Sequence, residues 1–135
     1  MIFKLRLWAK AVHIPTRILP TDLVLPILAG KMRGKKWIVG SGPYGCWLGM
    51  FEFEKRVMFE NMVMEGNIVY DIGAHVGFYS LLAASLCGCK GQVFAFEPVP
   101  RNLTYLKKHI HLNKMTNIHI IEAAVTKADG VASFK

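Results

Sequence analysis

The sequence predicts an α/β protein built on a doubly wound parallel sheet, and two observations lead to that fold class. First, apolar runs that suit buried parallel strands alternate with segments rich in helix formers, at a spacing of about 25 residues. Right-handed crossovers between such strands give a parallel sheet with helices on its faces. Second, 53% of the 135 residues are hydrophobic, which is enough for one core. The pattern is Rossmann-like but incomplete, and a β-hairpin and a helix are expected to precede it.

The chain divides into a basic N-terminal extension, residues 1–34, and a folded domain, residues 35–135. The stretch KKWIVGSGPYGCWLGMF at 35–51 predicts two short strands joined by a Gly/Pro turn, hence a β-hairpin. Residues 52–63 are predicted to form a helix, because apolar side chains recur there at helical spacing. These side chains are Phe53, Val57, Met58 and Met62.

Three strands and two helices are predicted after a turn at residues 65–67. The strands are IVYDIG at 68–73, VFAFEP at 93–98 and IHIIEAAV at 118–125. The helices are FYSLLAASLC at 78–87, which is apolar nearly all round, and RNLTYLKKHIHLN at 101–113, which has one apolar side. After a turn, VASFK at 131–135 is predicted to begin a further strand, so the domain is expected to be incomplete at its C-terminal end.

Positive charge is concentrated near the N-terminus. The formal net charge is +8, and the basic residues before residue 37 are Lys4, Arg6, Lys10, Arg17, Lys31, Arg33, Lys35 and Lys36. No RNA- or DNA-binding motif or aromatic stacking pattern accompanies them, so no nucleic-acid partner is expected. The extension is expected to pack on the domain, and peripheral contact with an anionic membrane is the alternative. No uncharged run is long enough to predict a transmembrane helix.

Cysteines and histidines give no sign of a metal site. The three cysteines, Cys46, Cys87 and Cys89, form an odd set without a signal peptide, which predicts reduced thiols and a cytoplasmic location. The Cys-Gly-Cys step has no second pair to complete a site. His109 and His111 are two residues apart and point to different sides of a helix, so they are a poor metal-binding pair. His109, His111 and His119 are all predicted to be surface residues.

The stretch VYDIGAHVGFYS, residues 69–80, has the pattern of a strand, a turn and a helix that bind a nucleoside. Gly73 and Gly77 fall in the turn, where glycine bends the chain sharply and lets backbone approach a ligand. Glu97 ends the next strand, and an acid there accepts hydrogen bonds from two ribose hydroxyls. The combination predicts an adenosine-containing cofactor. The alternative is that both glycines serve only helix packing.

Asp71 decides between adenosine-containing cofactors. The turn does not match the Gly-x-Gly-x-x-Gly fingerprint of dinucleotide binding. A pyrophosphate there would meet the carboxylate, and like charges 4 Å apart at an effective dielectric constant of 20 repel by about 4 kcal/mol. S-adenosylmethionine carries a sulfonium and an α-ammonium and no phosphate, so the sequence predicts this cofactor rather than a nicotinamide dinucleotide. The alternative is that Asp71 only orders the turn through hydrogen bonds to loop amides.

Four stretches resemble the FkbM-type family of S-adenosylmethionine-dependent methyltransferases. They are KWIVGSGPYGCWLGMFEFEK, VYDIGAHVGFYSLLAA, VFAFEPVPRNLTYLKKHIHLN and IHIIEAAVTKADGVASF. The most distinctive piece is FEPVPRN at 96–102, an acid-Pro-x-Pro step that generic Rossmann sheets lack. The resemblance implies a class I methyltransferase fold with its cofactor-binding domain at 35–135.

The resemblance also implies a set of cofactor-binding residues. They are Asp71, Gly73, Ala74 and Gly77 around the turn, Glu97 on the ribose, Asn102 ordering the loop after that acid, and Glu122, Ala123 and Ala124 near the adenine. His75 is a departure, because the family usually has asparagine there. Histidine tolerates a left-handed backbone, and its ring either contacts the methionine carboxylate or has no role beyond the turn.

The resemblance implies methylation of an oxygen atom on a small metabolite, a sugar or a lipid. The sulfonium is already an activated donor, so the protein mainly aligns acceptor, methyl carbon and sulfur, which contributes roughly 7–11 kcal/mol in favourable cases. No catalytic base is identified, and the oligomeric state is not predicted. The alternative is a non-catalytic Rossmann-like module whose basic N-terminus binds a membrane or a partner. With three parallel strands, the sheet is expected to keep an uncovered apolar edge.

Overall fold

The computed structural model describes residues 19–131. Its elements are β1 (Val24–Pro26), β2 (Lys36–Ile38), a 3-10 turn (Val39–Ser41), α1 (Gly45–Leu48), α2 (Phe53–Met62), β3 (Ile68–Ile72), α3 (Phe78–Cys87), β4 (Gln92–Phe96), α4 (Pro100–Leu112) and β5 (Ile118–Ile121). The first 18 residues of the basic extension, and nearly all of the strand predicted at 131–135, lie outside the described residues. No helix within the described part is both long enough and apolar enough to cross a membrane.

The parallel sheet confirms the predicted fold class. Its strand order is β3-β4-β5, and both neighbouring pairs are parallel. The register places Asp71 beside Ala95, and Ala95 beside Ile120. Because consecutive strands are neighbours, α3 and α4 are both crossovers that move in the same direction across the sheet, and right-handed crossovers then place both helices on the same face.

One face of the sheet holds the core of this region, and the other face is open. Val93 and Ala95 of β4 are fully buried under α3 and α4. The opposite face is formed by alternate residues of β3, and Ile68, Tyr70 and Ile72 are 63%, 64% and 56% exposed. Within residues 19–131 the sheet is therefore covered by helices on one side, whereas a complete doubly wound sheet is covered on both.

The hairpin predicted within residues 35–51 is wrong. Strand β2 pairs antiparallel with β1, which lies before it in the chain, and the segment after the Gly/Pro turn forms the short helix α1. The helical turn begins where the Cys46 N–H donates to the Pro43 carbonyl at 3.0 Å. It ends at Gly49, whose φ of 74° is left-handed and where an added Cβ would lie 2.2 Å from the Ala29 carbonyl oxygen. The alternating apolar residues here pack as one helical turn, with Cys46 and Trp47 buried.

The helix predicted at 52–63 is present as α2, but its apolar stripe faces outward. Phe53, Val57, Met58 and Met62 are all exposed. The side chain that α2 buries is Arg56, whose guanidinium donates to the Gly49 carbonyl and lies 3.5 Å from a Glu60 carboxylate oxygen. A buried charge is tolerated when it has such partners.

His109 was predicted to lie on the surface, and this prediction is wrong. Its ring is fully buried and stacks on Trp37, with the ring centroids 3.9 Å apart. Nε2 accepts the Ile38 N–H at 3.1 Å, which leaves the proton on Nδ1 to donate to the Val76 carbonyl at 2.7 Å. The histidine thus connects α4 to both β2 and the turn after β3. His111 and His119 are exposed, as predicted.

Candidate functional site

The candidate site lies at the carboxyl ends of the three parallel strands, where sheets of this kind bind ligands. Asp71 is the fourth residue of β3, Glu97 directly follows β4, and Glu122 directly follows β5. The turn between β3 and α3 crosses towards β4, because the N–H groups of Gly73 and Ala74 both donate to the Phe96 carbonyl at 2.9 Å. Three sequence-predicted acids are therefore arranged in order along one edge of the sheet.

Residues of the turn adopt left-handed conformations, but for different reasons. The φ angles are 81° at Gly73, 53° at His75 and 96° at Gly77. An added Cβ at Gly73 would meet no atom within 4 Å, so its backbone faces open space that a ligand can enter. At Gly77 an added Cβ would lie 2.5 Å from Cδ1 of Leu106, so packing against α4 requires glycine there. The helix-packing alternative therefore accounts for Gly77 and does not account for Gly73.

Glu97 connects the turn to the beginning of α4. Its Oε2 accepts the His75 N–H at 2.8 Å, and its Oε1 accepts the Val99 N–H at 2.8 Å and the Asn102 side-chain amide at 3.2 Å. The side chain is 4% exposed. Two carboxylate oxygens offer about four acceptor positions, so one position remains for a ribose hydroxyl. The expected ordering contact of Asn102 is present, and ribose binding by Glu97 stays a prediction.

Asp71 contacts the beginning of α3. Its Oδ2 accepts the Ser80 hydroxyl at 2.5 Å, so the carboxylate orders a side chain of the helix rather than the loop amides. Burial raises the pKa of Asp71 above its usual range, the Ser80 hydrogen bond opposes that shift, and the negative charge of Glu97 adds to it. None of the ion pairs within the described residues involves Asp71, so this carboxylate has no positively charged side-chain partner there.

A cavity of about 240 Å³ adjoins Asp71 and the turn. Gly73, Ala74 and His75 line one side, as the sequence predicts for a ligand site. The other side comes from residues that sequence analysis did not single out, namely Pro43, Cys46, Phe51, Glu52 and Tyr79. They were missed because most lie in or beside α1, where a strand was predicted. A strand would have turned alternate side chains away from the cavity.

The titratable side chains of the cavity wall do not include an obvious nucleophile. Burial, with the nearby charge of Glu52, raises the pKa of the Cys46 thiol to about 12. Burial and a hydrogen bond to Glu52 raise the pKa of Tyr79 to about 12. Both groups are therefore protonated at neutral pH. Within residues 19–131, no cluster of three or more His, Cys, Asp or Glu side chains is placed to hold a metal ion.

The predicted adenine-contacting residues lie on the other side of Glu97 from Asp71. Glu122, Ala123 and Ala124 follow β5 and are exposed. Glu122 forms an ion pair with Lys107 of α4 at 2.5 Å. The turn and its cavity thus lie at one end of the sheet edge, and the exposed residues that follow β5 lie at the other end. Adenine contacts by these residues stay a prediction.

Comparison with known proteins finds one domain family. The sequence model of the TRM5/TYW2 methyltransferase domain matches residues 49–134. Trm5b from Pyrococcus abyssi is 29% identical with a TM-score of 0.50, over 67% of this chain and 25% of that chain. A SAM-dependent methyltransferase from Aquifex aeolicus is 26% identical with a TM-score of 0.50, over 62% of this chain and 43% of that chain.

Two further similarities are more limited. Pyrococcus horikoshii TYW2 in complex with MeSAdo is 23% identical with a TM-score of 0.51, over 79% of this chain and 38% of that chain, and shows the fold alone. An uncharacterized protein of Methanocaldococcus jannaschii is 32% identical over an alignment of 75 residues, and the match covers 53% of this chain and 28% of that protein. The chain therefore spans well under half the length of these relatives.

The matched family is one of methyltransferase domains, in agreement with the predicted fold and cofactor class, and it corrects the predicted family. The matching model is of the TRM5/TYW2 type, not the FkbM type. The error has a physical reason, since an acid in the first strand, a glycine turn and an acid after the second strand all serve cofactor binding. Such residues identify the cofactor class better than they identify a family.

Proposed function

The chain belongs to the TRM5/TYW2 methyltransferase domain family, and from that premise we propose that it is the cofactor-binding part of a methyltransferase that uses S-adenosylmethionine. The observation that carries the proposal is the partly buried Asp71 carboxylate beside the open backbone of Gly73. A positively charged methyl donor supplies the positive charge that Asp71 lacks. A pyrophosphate would add a second negative charge at the same place.

Isothermal titration of the 135-residue chain with S-adenosylmethionine and S-adenosylhomocysteine tests this proposal. We expect both to bind, and we expect Asp71→Ala and Glu97→Ala to weaken binding at least tenfold. Glu65→Gln is the matched control, because Glu65 is an exposed acid at the opposite end of β3, paired with Lys90 at 3.7 Å. Absence of binding by a folded wild-type chain would contradict the proposal.

For the acceptor, we propose a nucleic acid of the tRNA class rather than a small metabolite. The family is a tRNA-modifying one, and methylation of an oxygen atom on a small molecule has no support from it. Residues 98–121 contain no acid. Their basic side chains are Arg101, Lys107, Lys108 and Lys114. A polyanion is favoured by such a surface, because each phosphate that it neutralises releases a counterion.

Contacts on α4 support a tRNA acceptor, and they explain why the sequence alone predicted no nucleic-acid partner. Tyr105 has the Arg101 guanidinium 5.1 Å and the Lys108 ammonium 5.7 Å from its ring centroid. The aromatic and basic side chains are thus interleaved on α4, at helical spacing that a linear inspection overlooks. Asn113 also exchanges two hydrogen bonds with the backbone of Lys36, which brings a second basic segment to the end of α4.

Salt-dependent binding of unmodified tRNA tests the acceptor. We expect the logarithm of the binding constant to fall linearly with the logarithm of the salt concentration. The double variant Arg101→Ala/Lys108→Ala should have a shallower slope, by the amount that corresponds to about two fewer phosphate contacts. Lys90→Ala, which removes an exposed lysine in the turn before β4, is the control. Equal slopes in all three proteins would contradict a role for α4. Methyl transfer to a small alcohol but not to tRNA would favour the metabolite alternative.

The three free thiols support a cytoplasmic location, which stays part of the proposal. The domain boundary near residue 35 stays a prediction, and Ile27 and Met32, which precede it, are part of the core. Membrane contact through the first 18 residues concerns a segment outside the described ones. A cell-fractionation experiment with the chain, with and without those 18 residues, would test both location and membrane contact.

A further inference from the structure

Glu52 has a backbone conformation that the local structure does not explain. It directly precedes α2 with φ 43° and ψ 50°, in the left-handed region that disfavours side chains. Its side chain makes no capping hydrogen bond to the helix. Asparagine, aspartate, serine or glycine would satisfy a helix start better than a strained glutamate does. Strained residues of this kind concentrate at functional sites, where the surrounding structure holds them in place.

The Glu52 carboxylate is held in a fixed direction. Oε2 accepts the Tyr79 hydroxyl at 3.1 Å, and Oε1 accepts the Lys55 ammonium at 2.8 Å. The Lys55 hydrogen bond, followed by the Tyr79 hydrogen bond, lowers the pKa of Glu52, so the group is ionised at neutral pH. Tyr79 is itself fixed by an edge contact with Phe59, with ring centroids 5.2 Å apart. Lys55 is largely exposed, and an exposed ion pair contributes little free energy. A ligand cation can therefore replace Lys55 as the partner of Oε1 of Glu52.

Glu52 and Asp71 line the same cavity from two separate segments of the chain. The remaining wall is mostly apolar, including Phe51 and Phe78, and it contains no lysine or arginine. Its volume of about 240 Å³ lies below the ~300 Å³ at which pockets begin to hold whole drug-sized ligands, so it fits one end of a cofactor. A small cavity with two carboxylates on an apolar wall favours a compact cation over any anion.

We propose that Glu52 binds the α-ammonium of the cofactor's methionine end, inside the cavity that it shares with Asp71. The inference rests on the proposed function, because it assigns a partner within the same cofactor site. Glu52 is a positioning residue in this account. It fixes the amino-acid end of the cofactor and thereby the direction of the sulfonium, and it takes no part in bond making or breaking.

Three ligands separate this contact from the others at the site. S-adenosylmethionine has both the ammonium and the sulfonium, S-adenosylhomocysteine keeps only the ammonium, and 5′-methylthioadenosine has neither. Calorimetry with the 135-residue chain should show that Glu52→Gln weakens the first two by about tenfold or more, the usual effect of losing a charge-assisted hydrogen bond. Binding of 5′-methylthioadenosine should stay unchanged. Glu54→Gln is the matched control, because Glu54 is an exposed acid in the first turn of α2 and does not line the cavity.

A second variant separates loss of binding from loss of folding. Asparagine tolerates the left-handed region and begins helices well. Glu52→Asn should therefore have a melting temperature equal to or above that of the wild type, while it weakens S-adenosylmethionine to the same extent as Glu52→Gln. A fall in affinity that is matched by a fall in melting temperature in both variants would overturn the assignment.

The outcomes distinguish this inference from the proposed function. If the wild type binds S-adenosylmethionine and S-adenosylhomocysteine, and Glu52→Gln binds them equally well, the role of Glu52 is overturned and the proposed function stands. Weakening of S-adenosylmethionine alone would assign Glu52 to the sulfonium and overturn the ammonium contact. Equal weakening of 5′-methylthioadenosine would overturn it too. A wild type that binds none of the three would overturn both proposals.

Discussion

Gly73 and Gly77 share a left-handed backbone, but their surroundings predict different consequences of substitution. Alanine at Gly73 meets open space, so we expect only the backbone penalty of about 1 kcal/mol in the free energy of unfolding. Alanine at Gly77 adds a collision with Leu106, so we expect about 3 kcal/mol. Urea denaturation of the two variants measures both values.

Cofactor affinity should show the reverse order for the two glycines. Gly73→Ala places a methyl group in the space that the cofactor would enter, so binding of S-adenosylmethionine should fall while the chain stays folded. Gly77→Ala should lose stability first, and any folded fraction should still bind. A Gly73→Ala protein that binds as well as the wild type would show that the cofactor does not approach this turn.

Burial of His109 predicts a stability that falls in mild acid. Burial lowers the pKa of this imidazole from 6.5 to about 4, while the Val76 hydrogen bond opposes the shift. The unfolded chain therefore binds more protons than the folded chain between these pH values. The resulting stability is fully present above pH 6.5, and it is lost as pH falls through 4. The pKa difference corresponds to about 3 kcal/mol.

Denaturation curves between pH 7.5 and 4 test the histidine contribution. We compare the wild type with His109→Gln, because glutamine keeps one donor and one acceptor but does not titrate. The difference in unfolding free energy between the two proteins should shrink as pH falls. His111→Gln, at an exposed position of the same helix, should leave the pH dependence unchanged. A constant difference between wild type and His109→Gln would contradict the assigned shift.

The positions of single residues could be predicted where the ends of strands determine them. The carboxyl ends of parallel strands meet at one edge, so Asp71 and Glu97 could be placed together from spacing alone. Glu52 was not predicted, because its position depends on α1, whose secondary structure was misassigned. His109 was misplaced although it lies three residues after Leu106, on the same helical face, since histidine is more often exposed than leucine.

At the scale of elements, Asn113 holds the β1–β2 pair against α4. Its side chain accepts the Lys36 N–H at 2.7 Å and donates to the Lys36 carbonyl at 2.8 Å. Asn113→Ala removes both bonds, so we expect a loss of about 1–2 kcal/mol. We also expect faster hydrogen exchange at the amides of Lys36 and Ile38. Asn61→Ala, on the exposed side of α2, is the control, and equal exchange in both variants would contradict the role of Asn113.

The elements of the sheet and the helix α2 before it were predictable, and the β1–β2 pair and α1 were not. Strands β3 and β4 follow from nearly continuous apolar runs, and α3 follows from helix formers between them. The segment at 35–51 has apolar residues at mixed spacing and four glycines, so its pattern alone does not separate a strand from a helical turn. Strand β2 pairs with β1 and also contacts the end of α4 through Asn113, which is 77 residues away in the sequence.

At the scale of the whole molecule, the open sheet face predicts self-association. Tyr70 stacks on Phe94 with ring centroids 5.4 Å apart, and its ring lies between exposed Ile68 and Ile72. An apolar face of this kind is a site of association in an isolated chain. Sedimentation velocity of the wild type should show association that rises with concentration, and Tyr70→Glu should reduce it. Lys90→Glu, away from this face, should not, and a wild type that stays monomeric at high concentration would contradict the prediction.

The fold class was predictable because local pattern and chain order determine a parallel sheet. The family and the acceptor were not, because the residues that bind a common cofactor recur across many methyltransferases. The basic surface of α4 is assembled from Arg101 and Lys108 around Tyr105 and is extended by the contact between Asn113 and Lys36. Such surfaces become visible only when the helix and the N-terminal strand pair are placed together.

A competition between S-adenosylmethionine and NAD, with the wild type and with Asp71→Asn, tests whether the charge of Asp71 selects the cofactor. Asparagine keeps an acceptor for the Ser80 hydroxyl but removes the negative charge. We predict that the wild type binds S-adenosylmethionine and not NAD, and that Asp71→Asn loses at least tenfold in affinity for S-adenosylmethionine. A wild type that prefers NAD, or a variant whose affinity for S-adenosylmethionine is unchanged, would show that the charge of Asp71 does not select the cofactor.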